Sequence, residues 1–298
     1  MHHQLVGIDW GTSNRRAYLV DGSGHCTATH EDDQGMLAAR GRFAESLAAL
    51  LEQMQIGAQV PVVMSGMVGS ASGWREVPYL DIVVALDTLP RHLVRVEGHA
   101  LGRDCLIVPG YCQRDGGIDV MRGEETQLLG ALALGRRDGW VVLPGTHSKW
   151  VLLRDGVIER FATYMTGELF ATLAAHGTLA ALMSDGENAS AFALGVAEAR
   201  LRAPLTNSLF RVRARVVAGA MPAAHAREFV SGLLIGTEFA AALETAGGAA
   251  QPITLICSAT LHARYASAAA LFGIAVTQLD PHRVYCAALS QFFAKATA

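Results

Sequence analysis

The chain has 298 residues, 51% of them hydrophobic and 17% charged, and carries a net charge of −3. That length suggests about two domains, the apolar share rules out a disordered chain, and an acidic balance with no basic stripe argues against nucleic acid as a partner. No apolar run of about 18 residues is free of charge or Gly/Pro punctuation, so no membrane span is expected. Leu5 enters a strand with no signal peptide ahead of it. The five cysteines (Cys26, Cys105, Cys112, Cys257, Cys286) are scattered and form no CxxC pair. Free thiols in a reducing cytoplasm are the simplest reading. His2-His3 is too short a run to hold a metal.

The first informative stretch is Gly7-Ile8-Asp9-Trp10-Gly11-Thr12-Ser13-Asn14, followed by Arg15 to Val20. It reads as strand, tight turn, strand. Gly11 lets the backbone turn sharply and approach a ligand closely. Thr12, Ser13 and the turn N–H groups can donate to phosphate oxygens. Asp9, at the strand end, is placed to hold Mg²⁺ through a water shell. No Gly-Lys-Ser/Thr opens a helix here, so this is not a P-loop, and no helix follows as a dinucleotide fingerprint requires. An ordinary hairpin turn uses the same residue types.

A third strand is expected over Cys26 to Thr29. Phe43, Leu47, Leu50, Leu51 and Met54 share one helical face, and Val60 to Met64 reads as a short buried strand. The opening is thus β-β-β-α-β, unlike the alternating βα of a plain doubly wound sheet. The strand runs into the Ser65-to-Trp74 loop, where Gly66, Met67, Val68, Gly69, Trp74 and Tyr79 could wall a ligand site; a plain connector has the same composition. Residues 81 to 108 read as mixed strand and loop, with Cys105 to Val108 a strand and a polar loop after Gly110. Met121 to Leu134 reads as a helix with Glu124 and Glu125 in its first turn. Acids there suit the helix dipole whatever their function, but the two point roughly 100° apart. Gly130 and Ala131 thin that helix for a close neighbour.

Trp140 to Leu143 is the next strand, ending in Pro144-Gly145-Thr146-His147-Ser148-Lys149 before Trp150 to Leu153 returns. A second strand-turn-strand of this kind argues for two pseudo-symmetric halves. A further strand spans Ile158 to Thr163. Thr166-Gly167-Glu168 opens a helix through His176, and residues 184 to 202 are polar and then helical. Glu228 to Leu243 is a long helix with Gly232 and Gly236 inside it. Two such glycines cost roughly 1 kcal/mol each against Ala, so a neighbouring helix or a flat ligand must pack close. Ile253 to Cys257 is a buried strand ending at Ser258-Ala259-Thr260. A helix over Leu261 to Ala270, a strand over Val276 to Leu279 and a helix over Arg283 to Ala296 close the chain.

This order resembles the actin/Hsp70/sugar-kinase superfamily. More specifically, Gly7-to-Gly11, Val62-to-Gly69, Met121-to-Gln127, Pro144-to-Trp150, Met165-to-Glu168 and Ser231-to-Gly236 are similar to the 2-dehydro-3-deoxygalactonokinase family, over essentially the whole chain. The resemblance implies an α/β fold of two ribonuclease-H-like (actin-like ATPase) domains, each opening with three antiparallel strands, flanking an interdomain cleft. The domains would be residues 1–135 and 136–298, with the helix 283–296 crossing back to the hinge. It implies a cytoplasmic enzyme that uses Mg²⁺ and ATP to phosphorylate 2-keto-3-deoxygalactonate at its terminal hydroxyl. Gly11, Thr12, Ser13 and Asn14 would form the first phosphate loop, and Gly145, Thr146, His147, Ser148 and Lys149 the second. Ser258, Ala259 and Thr260 would lie in the loop that holds adenosine, and Ser231 and Gly232 would also bind ATP. Glu124 matches the Asp base of glycerol-kinase-type enzymes with Glu for Asp, and Glu125 stays an alternative. Asp9 would hold the metal. Arg16 or Arg122 would meet the substrate carboxylate. The Ser65–Tyr79 loop would select the sugar acid, leaving 2-keto-3-deoxygluconate and other sugar acids open as acceptors. An actin-like ATPase switch is the reading from another class. A homodimer is compatible with the sequence.

Overall fold

A computed structural model describes residues 4–184, 186–245 and 251–296; His2-His3 lies outside the described residues. The chain divides into two compact units. One comprises Met1–Asp138, Leu152–Phe161 and Leu279–Ala298, the other Gly139–Val151 and Ala162–Gln278. Among the described residues no helix is long and apolar enough to cross a membrane.

The first unit opens with strands β1 (Gln4–Trp10), β2 (Arg15–Asp21) and β3 (Cys26–Asp32), paired antiparallel in order. Helices α1 (Met36–Ala39) and α2 (Phe43–Gln53) follow, and β4 (Val62–Gly66) returns parallel to β1. Leu5, Val6, Ile8 and Trp10 of β1 are all buried, as expected of a strand inside a sheet. Phe43, Leu47, Leu50 and Leu51 form the buried face of α2. The chain continues through β5 (Leu80–Asp81), β6 (Val94–Arg95), β7 (Cys105–Ile107), β8 (Tyr111–Gln113), β9 (Asp119–Met121) and α3 (Glu124–Ala133). The main sheet has the order β3-β2-β1-β4-β7-β6, and a small sheet the order β5-β8-β9. The expected polar loop after Gly110 is instead the β8–β9 hairpin. Its cause is tertiary: Tyr111 is buried and donates its hydroxyl to Val84 O at 3.0 Å.

After α3 the chain forms β10 (Gly139–Leu143), β11 (Ser148–Arg154) and β12 (Val157–Tyr164), of which the end of β11 and most of β12 are counted with the first unit. Then come α4 (Thr166–Ala175), α5 (Gly177–Ala180), α6 (Ala189–Arg200), α7 (Leu205–Val217), α8 (Ala226–Thr245), β13 (Ile253–Ile256), α9 (Ala259–Leu271) and β14 (Val276–Leu279). This sheet runs β12-β11-β10-β13-β14, with β13 parallel to β10. The glycines of α8 meet a helix rather than a ligand. A Cβ on Gly232 would lie 2.0 Å from Phe192 O of α6, and one on Gly195 of α6 would lie 2.1 Å from Phe229 O of α8. Helix α7, absent from the sequence-based expectations, is amphipathic: it buries Ser208 and Val212, and Leu205, Leu209 and Val216 pack beside them.

The last helix, α10 (Pro281–Ala296), belongs to the first unit and starts two residues earlier than expected. It lies on α3, where a Cβ on Gly130 would sit 1.9 Å from Val284 O, and on β1, where one on Gly7 would meet Leu289. Tyr285 of α10 stacks on Tyr18 at 4.7 Å and shares a 2.9 Å hydroxyl contact with Ser65.

Candidate active site

The first loop is held from below. Gly35, Met36 and Leu37, at the start of α1, donate their amides to the carbonyls of Ser13, Gly11 and Thr12 at 3.2, 2.8 and 3.1 Å. A Cβ on Gly35 would lie 2.3 Å from Ser13 C, so this contact requires glycine. Gly11 N closes the turn on Asn14 O at 3.0 Å. With the carbonyls satisfied, Thr12, Ser13 and Asn14 present exposed side chains and N–H groups, a donor array suited to phosphate. Arg15 anchors the other end. It is buried under a bidentate pair with Asp32, donates to Ser46 O and lies over the Trp10 ring.

Asp9, one residue before the end of β1, is half-buried and pairs with Arg16 of β2 and Ser65 of β4. Burial pushes its carboxyl up to about 6. Arg16 holds it back, while Glu124 and Glu31 push it further. Two glycines in left-handed conformations let the neighbouring elements converge here. A Cβ on Gly66 (φ 88°) would sit 2.7 Å from Trp10 O, and one on Gly123 (φ 112°) would sit 3.3 Å from Gly66 Cα. This brings the first turn of α3 beside Asp9. Glu124 is half-buried and accepts the Arg122 amide at 3.1 Å. Glu125 is fully buried, accepts the Gly123 amide at 2.7 Å, and is pushed up to about 8 by burial and then by Glu124.

The other expected acceptor-side residues fall into two groups. Arg16 is 45% exposed and pairs with Glu31 at 3.0 Å. Arg122 lies 4.2 Å over the Tyr79 ring and donates to Val77 O at 2.7 Å. Gly69 lies against Arg122, where a Cβ would come within 2.9 Å of Nη1. Val68, by contrast, points into the core, Met67 packs on that core, and Trp74 stacks on Phe43 at 6.3 Å. These three build the wall behind the loop rather than its surface.

The second loop is shorter than expected. Gly145 is half-buried, and Thr146 and His147 are exposed, but Ser148 and Lys149 already belong to β11 and are buried. Lys149 donates to Thr163 Oγ1 at 2.8 Å. Ser148 donates to Glu238 Oε1 at 2.6 Å. Alternation along a strand explains both: side chains just past the turn are drawn into the sheet's two faces. His147 is held by Glu168 of α4, Nε2 to Oε2 at 2.5 Å, while the Glu168 amide donates to Thr146 O at 2.9 Å.

Glu238 of α8 was not foreseen, since a helical Glu among apolar residues carries no special signal. It also accepts Trp150 Nε1 at 2.6 Å, Tyr265 OH at 2.8 Å and the Thr166 hydroxyl. Burial pushes its carboxyl up and these four donors pull it back. The carboxylate thereby ties β11, α4, α8 and α9 together behind the second loop. In front of them lies a cavity of about 260 Å³ lined by Gly145, Thr166, Ser231, Thr260, Arg264 and Tyr265, among others. A second, of about 580 Å³, shares Thr260 and Arg264 with it and reaches Asn188, Phe192 and Glu228. Arg264 bridges them in a bidentate pair with Glu228 at 2.7 and 2.8 Å, and donates to Ser231 Oγ at 2.9 Å. Ser231, itself buried, and Thr260 thus line the smaller cavity. Ser258 caps α9 by accepting the Leu261 amide, with Ala259 exposed beside it. Gly232 faces α6.

A sequence model of the 2-keto-3-deoxy-galactonokinase family matches residues 9–292. The chain is 38% identical over 293 residues to a Rhizobium meliloti protein assigned as 2-dehydro-3-deoxygalactonokinase, covering 96% of this chain and 95% of that one. It is 37% identical over 279 residues to the 2-dehydro-3-deoxygalactonokinase of Escherichia coli, with 93% of each chain covered. The crystal structure of a Sinorhizobium meliloti protein assigned to the same activity superposes with a TM-score of 0.88, at 37% identity and over 98% of this chain and 95% of that one. Component A of the (R)-2-hydroxyglutaryl-CoA dehydratase of Acidaminococcus fermentans, 11% identical, superposes with a TM-score of 0.54 over the full length of both, a likeness of fold alone.

Proposed function

The chain belongs to the 2-keto-3-deoxy-galactonokinase family, and from that membership we propose that it transfers the terminal phosphate of ATP to the 6-hydroxyl of 2-dehydro-3-deoxy-D-galactonate. The observation that carries the reading is the position of Glu124, a half-buried carboxylate at the start of α3 beside Asp9. Phosphoryl transfer needs positioning, charge neutralisation and a group to take the hydroxyl proton. Glu124 takes that proton. Its buried neighbour Glu125 favours the neutral state and shapes the turn.

Thr12, Ser13 and Asn14 are the phosphate donors of the first unit, and the loop Gly145-to-His147 supplies those of the second. His147, fixed by Glu168, serves as the polar contact of the second loop, because Lys149 is drawn to Thr163. The cavities around Ser231, Thr260 and Arg264 take the nucleoside. Mg²⁺ fits the residues present. Asp9 and Glu124 crowd like charges that a cation would relieve, and no described cluster of three His, Cys, Asp or Glu competes as an all-protein site. Such a site, with one carboxylate and the rest water and phosphate, is how Mg²⁺ is usually bound. Asp9 would hold it through water, and the ion would neutralise charge on the phosphates.

The test is ADP release with Mg-ATP across 2-keto-3-deoxygalactonate, 2-keto-3-deoxygluconate, galactonate, glycerol, galactose and no acceptor. Turnover confined to 2-keto-3-deoxy acids is the expected result and ranks the epimers. Turnover without any acceptor, unchanged by each sugar, would overturn the kinase reading in favour of an ATPase switch.

A further inference from the structure

Scattered spacing gave no reason to pair any two cysteines, and all five are free thiols in the fold. Two of them, 260 residues apart, nevertheless meet. Cys26 opens β3 directly opposite Val20 of β2, next to the irregularity in that ladder. Directly paired residues share a face of an antiparallel sheet, as do residues two apart on one strand. Cys26 therefore faces the same way as Val20 and Tyr18. Tyr18 stacks on Tyr285 of α10, the neighbour of Cys286. On the other side of Cys26, Gly24 lies against α10 so closely that a Cβ there would come within 2.8 Å of Ser290 Cβ. Ser290 is one helical turn beyond Cys286, on the same face. The strand contacts thus bracket Cys26 and the helix contacts bracket Cys286, near enough for the Cys26 sulfur to raise the Cys286 thiol, while the Cys26 thiol itself donates to Ala28 O at 3.4 Å.

We propose that Cys26 and Cys286 form a modification site, a thiol pair that a small-molecule disulfide closes into an intramolecular cross-link between β3 and α10. Cys26 is exposed and Cys286 half-buried, while Cys105, Cys112 and Cys257 are buried out of reach. Burial and the neighbouring sulfur push the Cys286 thiol up to about 12, so the first attack falls to Cys26. The Cys26 thiolate attacks one sulfur of the small disulfide, forms a mixed disulfide and releases one small thiolate. Cys286 gives up its proton and displaces the second small thiolate from Cys26. Two protein thiols and one small disulfide become one protein disulfide and two small thiols. The cross-link ties the edge of the main sheet to α10, the helix that backs β1 and α3 through Gly7 and Gly130. It also closes a loop of most of the chain, the case in which a disulfide most restricts the unfolded state.

The experiment uses the full-length reduced protein, Cys26→Ser and Cys286→Ser, each incubated with oxidised glutathione and freed of excess reagent. Intact mass, peptide mapping without reductant and the thermal midpoint are read. The wild type is expected to lose the mass of two hydrogens, to yield a linked Cys26–Cys286 peptide, and to melt at a higher temperature that added reductant reverses. Cys286→Ser is expected to keep a glutathione adduct on Cys26, with no rise in midpoint. A stable adduct on Cys26 of the wild type with Cys286 still a thiol would overturn the proposal. So would a disulfide joining two chains. All of these readouts are independent of kinase turnover.

Discussion

The Glu125 carboxylate turns back to accept the Gly123 amide at 2.7 Å, while Glu124, its neighbour, accepts the amide of Arg122 and keeps contact with solvent. Adjacent acids on one helical turn thus have different environments, and environment separates their roles. Glu124→Gln is expected to lower turnover at least ~10²-fold, as loss of a general base does, with nucleotide affinity unchanged. Glu125→Gln is expected to keep most of the activity, because a neutral amide resembles the protonated acid. A dead Glu125→Gln beside an active Glu124→Gln would reverse the assignment.

Glu125 should also shape stability against pH. Its carboxyl lies at 4.5 unfolded and about 8 folded. The fold favours the protonated form, so its contribution is whole below 4.5 and is lost as pH rises through 8. Denaturant unfolding of Glu125→Gln should therefore show a smaller loss of stability between those pH values than the wild type. Parallel curves would mean the group is ionised in the fold.

Asp9 must be ionised to hold a cation, and its carboxyl lies at about 6 with Arg16 holding it down. Activity at limiting Mg²⁺ should fall as pH drops through 6. Removing the guanidinium in Arg16→Ala should move that fall to higher pH, and raised Mg²⁺ should move it lower, since proton and cation compete. A pH profile indifferent to both would refute the metal role of Asp9.

Glu238 accepts four side-chain donors while almost fully buried. Glu238→Ala would orphan all four. The expected loss is on the order of 3–5 kcal/mol, the scale of breaking a buried charged network, read from urea unfolding. A loss below about 1 kcal/mol, the worth of one ordinary hydrogen bond, would show that water fills the site.

Gly232 distinguishes packing from binding. A methyl there would strike Phe192 O, so Gly232→Ala should destabilise by about 1–3 kcal/mol, the range for overpacked sites. The folded fraction should bind nucleotide normally. Weakened binding at undiminished stability would return Gly232 to the nucleotide site.

Much of the unit-level plan was written locally. The strands around Asp9 and around Gly145, the α2 face from Phe43 to Leu51 and the glycines of α3 and α8 all declare themselves through spacing and residue type, because apolar periodicity and backbone freedom act over a few residues. What lay beyond the sequence depended on partners far away in the chain. Ser148 and Lys149 read as turn residues until Glu238 and Thr163 were there to receive them. Trp74 and Val68 read as ligand walls until Phe43 and the core behind them took them in. Gly35, a residue with no motif, turned out to brace the first loop. The pairing of Cys26 with Cys286 had no local signature at all. Sequence alone determined which chemistry the chain could carry, since side-chain type is local. Tertiary structure decided which of those groups face open space, since burial and hydrogen-bond partners are set by segments that meet only after folding.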